Sequence, residues 1–79
     1  MKPKAQWTVV VGQPRLEHFS KNNPPIMSNV GRRICAITRE ANDKEGFIVC
    51  QTRQKAREVA KEMSIDNRFW HFHAKKLGV

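Results

Sequence analysis

The clearest periodic pattern in the chain predicts one amphipathic helix, from Arg53 to Ile65. Its apolar residues recur at positions i, i+3, i+4 and i+7, which places them in one stripe along a helix. They are Ala56, Val59, Ala60 and Met63. Thr52 precedes the stripe and is a favourable N-cap, because its hydroxyl can accept a hydrogen bond from the first turn. We expect Asp66 and Asn67 to end the helix.

Other segments have the β-branched, aromatic and alternating composition of strands. The first runs from Gln6 to Val11 and the second from Arg32 to Thr38. The polar segment 39–46 should close a hairpin with a third strand, from Phe47 to Gln51. The fourth, from Arg68 to Leu77, alternates most clearly, so its larger apolar side chains should share one face. These are Trp70, Phe72 and Ala74.

A long connection, residues 12–31, separates the first two strands and is rich in proline and asparagine. Gly12 and Pro14 should end the first strand. The following residues, 15–21, have the pattern of two helical turns with Leu16 and Phe19 facing inward. We expect the rest of the connection to be extended and irregular.

These elements predict a small α+β domain over residues 6–79, preceded by a flexible tail, residues 1–5. The order is β-loop-β-β-α-β, with one face of an antiparallel sheet packed against the amphipathic helix. Two layers are the smallest arrangement that buries the helix stripe and the apolar strand faces together. The strand residues expected in this core are Trp7, Val9, Trp70 and Phe72.

The net charge is the strongest indication in the sequence of what the protein binds. The chain has 15 Lys and Arg against 7 Asp and Glu, a formal net charge of +8 and a pI near 10.2. Such an excess favours encounter with nucleic acid or with an acidic protein surface. No apolar run is long enough for a membrane span, and Trp7 to Val11 is too short for the core of a signal peptide. We therefore expect a cytoplasmic protein, in the host cytoplasm if the protein is viral.

The sequence favours no catalytic, cofactor or metal chemistry. It has no glycine loop of the phosphate-binding type, no cluster of carboxylates and no nucleophile motif. His71 and His73 lie two apart and are too few for a zinc site. Cys35 and Cys50 fall within predicted strands and should be buried, reduced side chains. We expect a non-enzymatic protein without cofactor or metal.

Two sets of residues are candidates for binding. In the helix, Arg53, Arg57 and Lys61 form an i, i+4, i+8 row beside the apolar stripe, which is either a binding face or an ordinary solvated surface. On the last strand, basic residues and an aromatic ring should share the face away from the helix. They are Arg68, Phe69, His71, His73 and Lys75, and Arg32 and Arg33 are added as further phosphate contacts. The Phe69 ring would either stack on a base or pack beneath the long connection.

One segment resembles a known family. Gly46 and Phe47, then Thr52, then Ala56 stand in the order found in the small arm-type DNA-binding domains of phage integrases, which contain three strands and a helix. The resemblance covers residues 32–65, less than half of the chain. Here the gap between Phe47 and Thr52 is longer, and a further strand follows the helix. In size and style the chain also resembles small phage-encoded inhibitors, including some anti-CRISPR proteins.

The sequence therefore predicts a small basic binding module that contacts nucleic acid through the basic face of its helix. The alternative is a phage-type inhibitor, anti-CRISPR-like or active in host takeover, which binds and blocks a larger protein or nucleoprotein complex.

Overall fold

A computed structural model describes residues 6–41 and 46–77. It contains strand β1 (Trp7–Pro14), helix α1 (Arg53–Asp66) and strand β2 (Trp70–Lys76). The two strands form an antiparallel sheet, and α1 packs against it. The predicted α+β class, with one helix on one face of an antiparallel sheet, is confirmed.

Strand β1 lies at the centre of the molecule because it is paired along both edges. On one edge it pairs with β2, in a register that sets Trp7 opposite Lys76. On the other edge, Trp7 exchanges two backbone hydrogen bonds with Cys50, at 2.8 and 2.7 Å. Farther along this edge, the Val11 N–H donates to the Arg32 carbonyl at 2.9 Å.

The hydrophobic core lies between β1 and α1. It consists of buried apolar side chains from both elements and from the segments beside β1: Val9, Val11, Ile34, Ile48, Cys50, Ala56 and Ala60. Trp7, Val59, Met63, Trp70, Phe72 and Ala74 are partly buried against it. The predicted helix stripe and strand faces therefore do pack together, although both tryptophans lie at the margin of the core. Thr8 is also fully buried, and its hydroxyl donates to the Ile48 carbonyl at 2.6 Å.

Helix α1 begins and ends almost where the sequence predicted. The Thr52 hydroxyl accepts from the Lys55 N–H at 3.1 Å, which satisfies one of the unpaired donors of the first turn. The helix continues through Asp66, and Asn67 is its C-cap. The side-chain oxygen of Asn67 then accepts from the N–H groups of Phe69 and Trp70, both at 2.9 Å, and turns the chain into β2.

The prediction of two regular strands in the middle of the chain is wrong. Residues 32–38 and 47–51 form only isolated bridges, such as those between Cys35 and Phe47 and between Ile34 and Ala41. The chain turns back at once, because the Arg39 N–H donates to the Cys35 carbonyl and Arg39 adopts a positive φ of 60°. Ile37, expected within a strand, is 90% exposed.

Two strand boundaries also differ from the prediction by two residues or more. β1 does not end at Gly12 but continues to Pro14, with a register irregularity after Val11. Pro14 is tolerated there because it sits at the end of the strand. β2 starts at Trp70, so Arg68 and Phe69 precede it.

The predicted helix at 15–21 is only a short 3₁₀ turn, Leu16–His18. Leu16 is 67% exposed, contrary to expectation, whereas Phe19 is partly buried. The backbone is extended at Phe19, and Ser20 and Asn23 then close a small turn. A second 3₁₀ turn, Met27–Asn29, follows.

Cys35 and Cys50, which both lie in the described part of the chain, are buried and are not joined in a disulfide. Cys50 belongs to the core cluster and Cys35 does not. Among residues 6–41 and 46–77, no helix is long and apolar enough to cross a membrane. The predicted flexible tail, 1–5, the centre of the predicted hairpin turn, 42–45, and the last two residues lie outside the described residues.

Candidate binding surface

Arg53, Arg57 and Lys61, here called the basic row, lie along one side of α1, and all three are exposed. The regular geometry of α1 sets their spacing, since residues four apart follow one another on the same side of a helix. The Arg53 guanidinium lies 5.8 Å from the centroid of the Trp7 ring, a cation–π contact that ties the first turn of the helix to β1.

The basic row has no acidic partner among the described residues. No carboxylate there lies within 4.0 Å of its nitrogens, and the ion pair found joins Glu17 to His18 at 4.0 Å. Arg57 has only cations as charged neighbours at helical spacing, with Arg53 four residues before it and Lys61 four after. Such like-charge pairs cost a few tenths of a kcal/mol each. Glu58 lines a surface pocket together with the three cations but makes no ion pair with them. The row is therefore a concentration of positive charge without a direct ion pair among the described residues.

A groove runs between the basic row and β2, and is called here the α1–β2 groove. Its volume is about 300 Å³. It is lined by Arg53, Arg57, Ala60, Lys61, Phe72, His73 and Ala74. The small side chains of Ala60 and Ala74 leave room between the two elements, and the cations of the row line this groove together with residues of β2.

The two faces of β2 alternate as the sequence predicted. His71, His73 and Lys75 are exposed, whereas Trp70, Phe72 and Ala74 are partly buried against the core. His73 also approaches β1 closely. A Cβ built on Gly12 would lie 3.0 Å from His73 Nδ1 and 3.1 Å from the His71 carbonyl oxygen. The glycine thus provides the space in which the His73 ring lies.

Phe69 lies apart from the basic row, at the other end of β2. Its ring centroid is 5.7 Å from that of Phe19 and 6.1 Å from that of His18. The ring therefore packs on the long connection, which was one of the two expected arrangements, and it remains 44% exposed. Arg68 is exposed beside it in the bend before β2.

Arg32 and Arg33 lie on the opposite edge of β1 from β2. Arg32 is partly buried and donates to the Asn29 side chain at 3.2 Å. The Arg33 guanidinium lies 4.7 Å from the centroid of the Phe47 ring. The ten predicted binding residues thus divide into separate groups, and the α1–β2 groove brings only four of them together: Arg53, Arg57, Lys61 and His73.

Sequence reasoning missed the residues that join α1 to β2. The Ser64 hydroxyl donates to the Ala60 carbonyl at 2.8 Å and accepts from the Phe72 N–H at 2.9 Å. Arg15, at the end of β1, donates from its guanidinium to the Ser64 carbonyl. A serine in the last turn of an amphipathic helix gives little sign of such a role, because serine there is equally common as a solvated residue.

Within the described ranges, no three His, Cys, Asp or Glu side chains are grouped so that they could hold a metal ion. Comparisons with protein families, with characterised proteins and with solved structures found no match for this chain.

Proposed function

We propose that this protein is a small, non-enzymatic nucleic-acid-binding module of the cytoplasm, which contacts phosphates through the basic row of α1. One observation carries the proposal: three cations line one groove, and no described carboxylate lies within 4.0 Å of their nitrogens. The formal net charge of +8 supports it, because a positive field attracts a polyanion over long distances.

The spacing of the row suits a phosphate backbone. Residues Arg53 to Lys61 span about 12 Å along the helix axis, at 1.5 Å per residue. Long, flexible side chains over this distance can reach successive phosphates of one strand. Binding of this kind fixes the position of a nucleic acid without reading its bases. The affinity should therefore depend steeply on salt and only weakly on sequence.

The test is a matched pair of triple variants, each of which removes three positive charges. The first changes Arg53, Arg57 and Lys61 to Gln. The control changes Lys21, Arg39 and Lys55 to Gln, all of which are exposed and lie outside the α1–β2 groove. Lys55 is especially informative, because its position two residues after Arg53 places it on the other side of the same helix.

Binding of short DNA and RNA oligonucleotides would be measured by fluorescence anisotropy at several salt concentrations. The row variant should bind more weakly, and the slope of log K against log salt should fall by roughly one for each phosphate that the variant no longer binds. The control should weaken much less. Equal weakening in both triples would show a general charge effect without a defined site. An absence of oligonucleotide binding by the wild type would leave a protein partner, as for a small inhibitor, as the remaining proposal.

A further inference from the structure

The outer edge of β2 carries backbone groups that the sheet does not use. Trp7 directs its N–H and carbonyl to Cys50, and the Val9 carbonyl accepts from Ile34. The backbone groups of Trp7 and Val9 therefore point away from β2. In an antiparallel pair, the backbone groups of the residues directly opposite them, Lys76 and Ala74, point away from β1, toward the outer edge of β2. The residue pairs between these ones form the hydrogen bonds that join β1 to β2. The same alternation continues just past the strand ends, where the Leu77 N–H donates to the Gln6 carbonyl at 2.8 Å.

The described residues close one end of this outer edge. Phe72 has the same orientation as Ala74 and Lys76, and its N–H is satisfied by the Ser64 hydroxyl. No residue in the described part of the chain hydrogen-bonds to the outward groups of Ala74 and Lys76. With respect to residues 6–41 and 46–77, the edge is therefore open at Ala74 and Lys76, next to the N-terminal half of α1. Unpaired N–H and carbonyl groups of this kind are a template for a further strand.

The charges around the open edge are positive on both faces. The basic row lines the groove on the helix side, and Ala74 forms part of the same groove. On the other face, His71 and Lys75 are exposed, and His73, which also lines the groove, lies beside Gly12. A strand added at this edge would place alternate side chains on the two faces, and both sets would meet basic side chains.

We propose that the open edge of β2 binds an extended acidic peptide segment by strand addition. The peptide backbone would pair with Ala74 and Lys76, and its carboxylates would contact the basic row. This activity goes beyond nucleic-acid binding and does not depend on it. A second copy of β2 is a poor occupant because pairing two of these strands would bring the lysines of both copies, Lys75 and Lys76, close together. A phosphate backbone is also less suitable, since it offers no N–H donors to the carbonyls of Ala74 and Lys76.

The probe is a short peptide of alternating glutamate and threonine, compared with the same peptide N-methylated at every residue. The two peptides have equal length and charge, but the methylated peptide has no backbone N–H donors. Backbone amide exchange of the protein would be followed by NMR with and without each peptide, and affinity by anisotropy.

The unmodified peptide should slow exchange at Ala74 and Lys76. His73 and Lys75 serve as internal controls, because their amides already face β1 and should change little. Methylation should weaken binding by about tenfold or more, as expected for the loss of two or more hydrogen bonds. Equal affinity for both peptides, or no protection at Ala74 and Lys76, would overturn the proposal.

An oligonucleotide is the third arm of this experiment. Protection of Ala74 and Lys76 by the oligonucleotide and not by the peptide would assign the edge to nucleic acid and overturn the proposal. If the oligonucleotide fails to bind but the peptide protects both amides, the nucleic-acid function fails and the strand-addition site stands. The two proposals can therefore fail separately.

Discussion

The Ser64 hydroxyl accepts a hydrogen bond from the Phe72 N–H at 2.9 Å, and this contact fastens the last turn of α1 to β2. Ser64→Ala would leave that partly buried N–H without its partner. We expect a decrease of about 1–3 kcal/mol in the free energy of unfolding, only slightly offset by the better helix propensity of alanine. Urea denaturation of the purified variant measures it. Ser28→Ala, on an exposed 3₁₀ turn, is the control and should be nearly neutral.

The burial of Ala56 leads to a second prediction. Ala56 is fully buried, so Ala56→Asp would place a carboxylate in the apolar core. Because a chain of this length has little stability in reserve, we expect loss of cooperative folding. Lys55→Asp puts the same side chain on the exposed neighbour and should melt cooperatively. A cooperative circular-dichroism melt of Ala56→Asp near the wild-type temperature would show that the helix does not pack as described.

Gly12 sets the position of His73, which leads to a third prediction. The Cβ of Gly12→Ala would meet His73 Nδ1 at 3.0 Å and the His71 carbonyl at 3.1 Å. The ring can rotate away but the backbone cannot, so we expect the free energy of unfolding to fall by roughly 1–3 kcal/mol. NMR shifts at the His73 ring and urea denaturation report the two effects. Gln13→Ala, on the exposed neighbour, should change neither, and an undisturbed Gly12→Ala variant would contradict the close approach.

The basic row should lower the stability of the free protein. Arg57→Gln removes both like-charge pairs of the row and leaves the contact of Arg53 with Trp7 in place. The free energy of unfolding should rise by roughly half a kcal/mol at low salt, and the gain should shrink as salt screens the charges. Urea midpoints at two salt concentrations measure this. Lys55→Gln is the control, and a fall in stability for Arg57→Gln would show that Arg57 has a stabilising partner within the fold.

Sequence pattern was most reliable where the local signal was long. Helix α1 and the alternation of β2 could be predicted because each rests on a repeated spacing of apolar residues. The Thr52 cap could be predicted because a threonine directly precedes the helix. The hairpin after Arg32 could not, because a single residue, Arg39, takes a positive φ and turns the chain back early. Arginine carries no general preference for that conformation, so nothing in the pattern marks the turn.

The charged residues of the candidate site could be predicted from the sequence, but their arrangement against β2 could not. The i, i+4, i+8 spacing predicted that Arg53, Arg57 and Lys61 share one side of α1. The position of the basic row along β2 depends on packing between elements that are distant in sequence. The open edge at Ala74 depends on which alternate residues of β1 bond to Cys50 and Ile34, which no local spacing encodes.

The pairing of Trp7 with Lys76 has a consequence for how the protein is made. β1 leaves the ribosome before β2, which follows only after the helix and the long connection have been synthesised. Until then the edge of β1 that later faces β2 stays exposed to other chains and to chaperones. Contacts so distant in sequence also close slowly. The emergence of the last strand, rather than any step within the helix, should therefore decide when this domain first becomes resistant to proteases during translation.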